Sequence, residues 1–119
     1  MSNVLITGTS SGFGELAALG FARAGHRVVA TMRNLDKGER LRRLASAETL
    51  DIELVRLDVN EEPSVGAALA DAERLVGPLD ILVNNAGIEL RGPVELCSED
   101  EVRAQFDTNV FGPLRMICL

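Results

Sequence analysis

The chain has 119 residues, enough for one domain with a modest core, and its 46% apolar and 25% charged residues are an ordinary globular balance. A net charge of −6 argues against nucleic acid, which needs a basic face, and against an anionic membrane surface. Trp and Tyr are absent, which removes the usual stacking platforms for single strands or sugars. The N-terminus carries neither a basic region nor a long apolar run, so a signal peptide and a membrane span are not expected. Cys97 and Cys118 form no C-x-x-C pair, and His26 is the single histidine. No zinc site or Ser/His/Asp triad can be assembled, and no metal is expected. Two reduced thiols in a cytoplasmic protein are the expectation.

Strand and helix patterns alternate along the chain. Val4 to Thr7 is a short apolar run ending at Gly8, as in a buried parallel strand. Residues 13–24 place Phe13, Ala17, Phe21 and Ala24 at helical spacing, with Gly25 as C-terminal cap and His26 exposed in the turn. A second strand covers 27–32. A helix over 36–47 turns Leu41 and Leu44 inward, and a third strand runs from Ile52 to Leu57. Asn60 offers an N-cap, followed by two acids and Pro63. Val65, Leu69, Ala72 and Val76 then share one helix face until Gly77-Pro78 ends it. Residues 80–83 are a fourth strand. After Gly92-Pro93, Ser98-Glu99-Asp100-Glu101 reads as a capping box for a last helix, on which Val102, Phe106, Asn109 and Val110 share a face. The pattern predicts an α/β fold, a parallel sheet covered on both faces.

The first candidate site is the loop Thr7-Gly8-Thr9-Ser10-Ser11-Gly12-Phe13-Gly14, between the first strand and the first helix. A pyrophosphate needs backbone nearby and a helix N-terminus aimed at it. Gly8 permits the tight exit from the strand, Gly12 the backbone approach, and Gly14 close helix–sheet packing. Ser10 and Ser11 supply hydroxyls. No Gly-Lys-Ser/Thr follows, so this is not a P-loop.

The second strand ends Thr31-Met32-Arg33-Asn34 with no acid to take a ribose 2′-hydroxyl. Arg33 instead suits a 2′-phosphate, which favours NADP. Asp36, the nearest acid, keeps NAD as the alternative, although it suits the start of the next helix. Asp58 lies past the third strand, at the sheet edge where ligands bind, and reads either as a turn acid or as an acceptor for an adenine amino group. Asn84-Asn85-Ala86-Gly87 lies past the fourth. Its amides can tie strands together, and the small Ala86 and Gly87 leave room for a ribose. Asn109 on the last helix reads either as a core amide that pins backbone or as a functional residue.

Together these segments resemble the classical short-chain dehydrogenase/reductase family. TGTSSGFG at 7–14 is similar to its glycine motif, LDV at 57–59 to its adenine-site segment, NNAG at 84–87 to its sheet motif, and FDTNVFGP at 106–113 to the segment carrying its helix asparagine. The resemblance implies a Rossmann-type, doubly wound parallel sheet in strand order 3-2-1-4, truncated at about four strands, with residues 1–119 forming an incomplete NAD(P)-binding domain. It implies that Gly8, Ser11, Gly12, Phe13 and Gly14 hold pyrophosphate and adenosine, and Arg33 the 2′-phosphate. Asp58 and Val59 then bracket adenine, Asn85, Ala86 and Gly87 line the cofactor ribose, and Asn109 supports a proton relay through water. Within the family, the loop and the TMRN segment resemble members acting on alcohols and ketones with NADP.

The family's chemistry also uses a serine and a Tyr-x-x-x-Lys, and the sequence stops before those positions. Ser98 precedes Asn109 and is not that serine. The expectation is therefore an NADP-dependent oxidoreductase present as a cofactor-binding fragment. Its alternative is a catalytically inactive nucleotide-binding or interaction module. A small-molecule substrate is expected only if the remaining half is supplied, and self-association is expected through the exposed sheet edge.

Overall fold

Short apolar runs, each closed by a turn residue, become parallel strands because helices cover both sides of them. The computed structural model describes residues 1–88 and 92–118. Among these, β1 (Asn3–Ile6), β2 (Arg27–Met32), β3 (Ile52–Arg56) and β4 (Ile81–Val83) form one parallel sheet in the order β3-β2-β1-β4. The helices are α1 (Gly12–Arg23), α2 (Glu39–Glu48), α3 (Glu62–Val76), α4 (Glu99–Phe106) and α5 (Gly112–Cys118). A 3-10 turn at Leu35–Gly38 precedes α2, and a five-residue π turn, Asp107–Phe111, joins α4 to α5. The doubly wound Rossmann-type arrangement and its strand order are as expected.

Side chains alternate across the sheet and so build two cores. Val4, Ile6, Val28 and Ala30 face Ala18, Leu19 and Ala22 of α1 and Leu41 of α2. Leu5, Val29 and Val55 face Val65, Ala68, Ala72 and Val76 of α3, with Met116 of α5. No helix of the described residues is long and apolar enough to cross a membrane.

Four local expectations are corrected. The inward face of α1 is Ala18, Leu19 and Ala22, with Ala17 and Phe21 at its margin; Phe13 is 84% exposed and Ala24 is also exposed. The helix begins at Gly12 beyond the sheet edge, so Phe13 projects past the core. Asn60 does not cap α3. The N-cap is Glu61, because the Asn60 amide is engaged elsewhere, donating to Thr108 Oγ1 at 3.0 Å. His26 is half-buried rather than exposed: its Nδ1 accepts the Ser2 N–H at 3.0 Å, and its ring meets Phe21 edge-on.

The single last helix becomes three pieces, interrupted by the π turn. Ser98 does cap it, accepting the Glu101 N–H at 3.1 Å while its hydroxyl donates to the Glu101 carboxylate. Its expected face, however, is turned outward, with Val102, Phe106, Asn109 and Val110 all exposed.

Candidate functional site

Parallel strands bring all four carboxyl ends to one edge, so the loops leaving them meet there. They line a cleft of about 320 Å³. The loop after β1 supplies Gly8, Ser10, Ser11 and Phe13. Gly8 has φ +68°, and a Cβ there would lie 2.8 Å from Ala86 Cα, so only glycine suits this exit from the strand. A Cβ on Gly14 would collide with the Gly8 carbonyl and lie 2.6 Å from Asn85 Nδ2. Helix α1 therefore starts in direct contact with the loops beneath it. Its N-cap, Ser11, makes no side-chain capping bond, which leaves first-turn N–H groups without intrahelical partners beside the cleft. That end of α1 carries the partial positive charge of the helix dipole.

Beneath this loop lies a threonine framework. Thr7 Oγ1 accepts the N–H groups of Asn85 and Ala86 at 3.0 and 2.9 Å. Asn85 Nδ2 returns a bond to the Gly8 carbonyl at 3.0 Å. Thr9 Oγ1 donates to the Thr31 carbonyl, and Thr31 Oγ1 to that of Ile6. All three threonines are at most 1% exposed. Thr7 and Thr9 lie in the expected loop and Thr31 at the expected strand end, but their bonding role was not anticipated; the available signal was a hydroxyl residue set within otherwise apolar strand ends. Asn85, Ala86 and Gly87 line the cleft where expected.

At the β2–β3 end of the cleft, Met32 closes β2 and the exposed Arg33 follows it. Among the described lining residues Arg33 is the one cation and Asp58 the one carboxylate. Asp36 does not line the cleft; its N–H is capped by Asn34 Oδ1 at 3.0 Å. Asp58 donates its N–H to Ser64 Oγ and accepts the Asn60 N–H on Oδ1, which shapes the turn that carries Val59. Leu57, Asn60, Ile88 and Thr108 also line the cleft and were not anticipated.

Gly12, Gly14 and Asn109 are not lining residues. Gly12, at φ +59°, turns the chain into α1. Asn109 is exposed rather than a core amide, yet both ends of its side chain are used. Its Oδ1 accepts the Ile88 N–H at 2.8 Å, and its Nδ2 donates to the Ile88 carbonyl at 2.7 Å. The backbone-pinning reading thus has a geometric basis, and Gly87 makes room for it, since a Cβ there would lie 3.1 Å from Asn109 Oδ1.

This arrangement of loops around one sheet edge has a counterpart in known proteins. The family model described as short chain dehydrogenase matches residues 2–119. The chain belongs to the short-chain dehydrogenase family. It is 42% identical over 114 residues to the uncharacterized oxidoreductase YusZ of Bacillus subtilis, a match covering 94% of this chain and 40% of that protein. A gluconate 5-dehydrogenase from Burkholderia cenocepacia, solved in complex with NADP and tartrate, superposes with a TM-score of 0.89 at 36% identity. That match covers 98% of this chain and 46% of the dehydrogenase. A 3-ketoacyl-(acyl-carrier-protein) reductase from Brucella melitensis, complexed with NADH, gives the same TM-score and identity over 98% of this chain and 48% of its own. This short-chain dehydrogenase chain therefore spans less than half the length of these relatives.

Proposed function

We propose that the chain binds NADP(H) across the cleft, as the cofactor-binding part of an oxidoreductase that moves hydride between an alcohol and a ketone. The observation that carries this reading is the start of α1: an uncapped helix N-terminus behind a glycine turn, with no room for a Cβ at Gly14. Such a cradle suits the pyrophosphate of a dinucleotide. Ser10, Ser11, Gly12 and Phe13 would lie along the phosphates and Arg33 beside the 2′-phosphate. Asp58 and Val59 would hold the adenine, and Asn85, Ala86 and Gly87 the ribose toward the nicotinamide. The nicotinamide supplies the hydride chemistry when bound; the residues here bind and orient it. Asn109, by fixing Ile88, would set the wall at that end and support a proton relay through water.

The choice of NADP over NAD rests on Arg33, the one described cation in the lining. The titration to perform compares NADPH and NADH on the parent chain and on Arg33→Asp. Tighter NADPH binding by about tenfold, lost or reversed in the variant, is expected of one charge-assisted pair. Equal affinities in the parent would remove the assignment to NADP over NAD, and an unchanged NADPH preference in the variant would remove the role given to Arg33.

The chain contains no tyrosine. We therefore propose that these 119 residues alone turn over no carbonyl substrate. Steady-state hydride transfer by the purified chain on simple ketones would contradict this. The β4 edge and the α4–α5 face support self-association as a further proposal. Ile81, Leu82, Phe106, Phe111 and Ile117 are all exposed large apolar residues, and such faces favour pairing with another chain. Sedimentation would show it as a mass that rises with concentration.

A further inference from the structure

The Arg115 side chain, on α5, reaches back to the turn that follows β3. Its Nη1 donates to the Val59 carbonyl at 2.9 Å, and its Nη2 to Asp107 Oδ1 at 2.6 Å. Both partners of the ion pair are partly buried, Arg115 at 28% and Asp107 at 37% side-chain exposure, so solvent competes less than at an open surface. Val59 is also held from its other side: a Cβ on Gly112 would lie 2.7 Å from Val59 Cγ2, so α5 rests directly on the valine. With the carbonyl bonded and the side chain pressed against Gly112, the backbone at Val59 has little freedom to rotate. Its N–H has no partner among the described residues.

We propose that Arg115 is a positioning residue for the adenosine end of the dinucleotide. By bridging the Val59 carbonyl and the Asp107 carboxylate it holds the Asp58–Asn60 turn in the geometry that a purine ring meets. The two bonds act through Val59 and not on the ligand itself. Arg115 does not line the cleft. The proposal rests on the dinucleotide reading above. It adds that affinity for the adenosine half is set partly from α5, beyond the residues that line the cleft.

The effect should be confined to one end of the ligand, which distinguishes positioning from general support of the fold. The test titrates the 119-residue chain and its variants with AMP, nicotinamide mononucleotide and NADPH, followed by amide NMR shifts, with circular dichroism to confirm folding. Arg115→Met keeps the aliphatic stem and removes both bonds. It should weaken AMP about tenfold, the size of one charge-assisted hydrogen bond, and leave nicotinamide mononucleotide within about twofold. Arg115→Lys, which can keep one bond, should lose about threefold on AMP alone; it decides the matter if the methionine variant fails to fold. Parent-like AMP affinity in a folded variant, or equal losses on both mononucleotides, would overturn the role given to Arg115 and leave the dinucleotide reading standing. A parent chain that binds neither NADPH nor AMP would overturn that reading, and this proposal with it.

Discussion

The two sides of the sheet are held together by different physics. On the β3-β2-β1 side, Val4, Leu5, Ile6, Val28, Val29 and Ala30 are completely buried between α1, α2 and α3. On the β4 side, Ile81 and Leu82 are 37% and 36% exposed, and the outer face of α4 and α5 is apolar and open. Beyond Met116, which reaches the core against α3, what fastens that side is hydrogen bonding. Thr7 holds the Asn85–Ala86 backbone, Asn109 holds Ile88, Asn60 pairs with Thr108, and Arg115 bridges Val59 and Asp107. Nearly all of these ties end on loops that line the cleft. The site therefore spans the boundary between an apolar body and a polar-fastened flank, and its shape depends on the second as much as its existence depends on the first.

That contrast can be broken most directly in the two cores. Leu5→Ala removes a fully buried side chain and should cost about 3 kcal/mol, whereas Leu82→Ala on the open strand should cost about 1 kcal/mol or less. Urea unfolding of both variants gives the comparison, and equal losses would mean that Leu82 is as well buried as Leu5. Next in size is Thr7→Val, nearly the same shape without the acceptor. It leaves the Ala86 N–H without its acceptor and the Asn85 N–H with the Val83 carbonyl alone, and should cost about 2 kcal/mol, with NADPH affinity falling alongside. A variant as stable as the parent would show that the threonine framework does not fasten the flank.

Asn109→Ala sharpens the comparison further. Its two bonds to Ile88 are solvent-accessible, so about 1 kcal/mol or less is expected in stability, read by thermal melting. The smallest effect is expected at the Arg23–Glu48 pair, far from the cleft. The side-chain hydrogen bond from Arg23, with a smaller contribution from its charge, holds the Glu48 carboxyl below the usual carboxylate range. A lowered folded-state pKa stabilises the fold above the ordinary carboxylate range, and that contribution fades as the pH falls through the lowered value. The pair is solvent-exposed, so Glu48→Gln should move the melting midpoint by no more than about 2 °C at neutral pH and by less in acid.

The strands and most of the lining were readable in the chain because each rests on a local rule, whereas the strand order came from the family resemblance. Apolar runs mark the strands, and the glycine turn and the Asn-Ala-Gly segment sit where strands end. Misreadings fell where a side chain is claimed from far along the sequence. Asn60 looks like a helix cap until Thr108, 48 residues later, takes its amide. Asn109 shares a stripe with apolar residues, yet that stripe faces outward and its amide turns to Ile88. The π turn has no signature in helical spacing, since it shifts the phase of the face it interrupts. The hydroxyl bonds of Thr7, Thr9 and Thr31 were not legible because threonine is common in strands for reasons of shape, and they take form only with the loops in place.

The central claim is that the cleft at the carboxyl edge of the sheet is a dinucleotide site oriented from Arg33 to Gly87. Titration of the isotope-labelled chain with NADPH, followed residue by residue through backbone amide shifts, tests it most directly. Saturable shifts are expected at Gly8, Ser10 to Phe13, Arg33, Asp58, Val59 and Asn85 to Gly87, with the outer face of α4 unmoved. No saturable binding, or shifts centred on Val102, Phe106 and Phe111 instead, would contradict it.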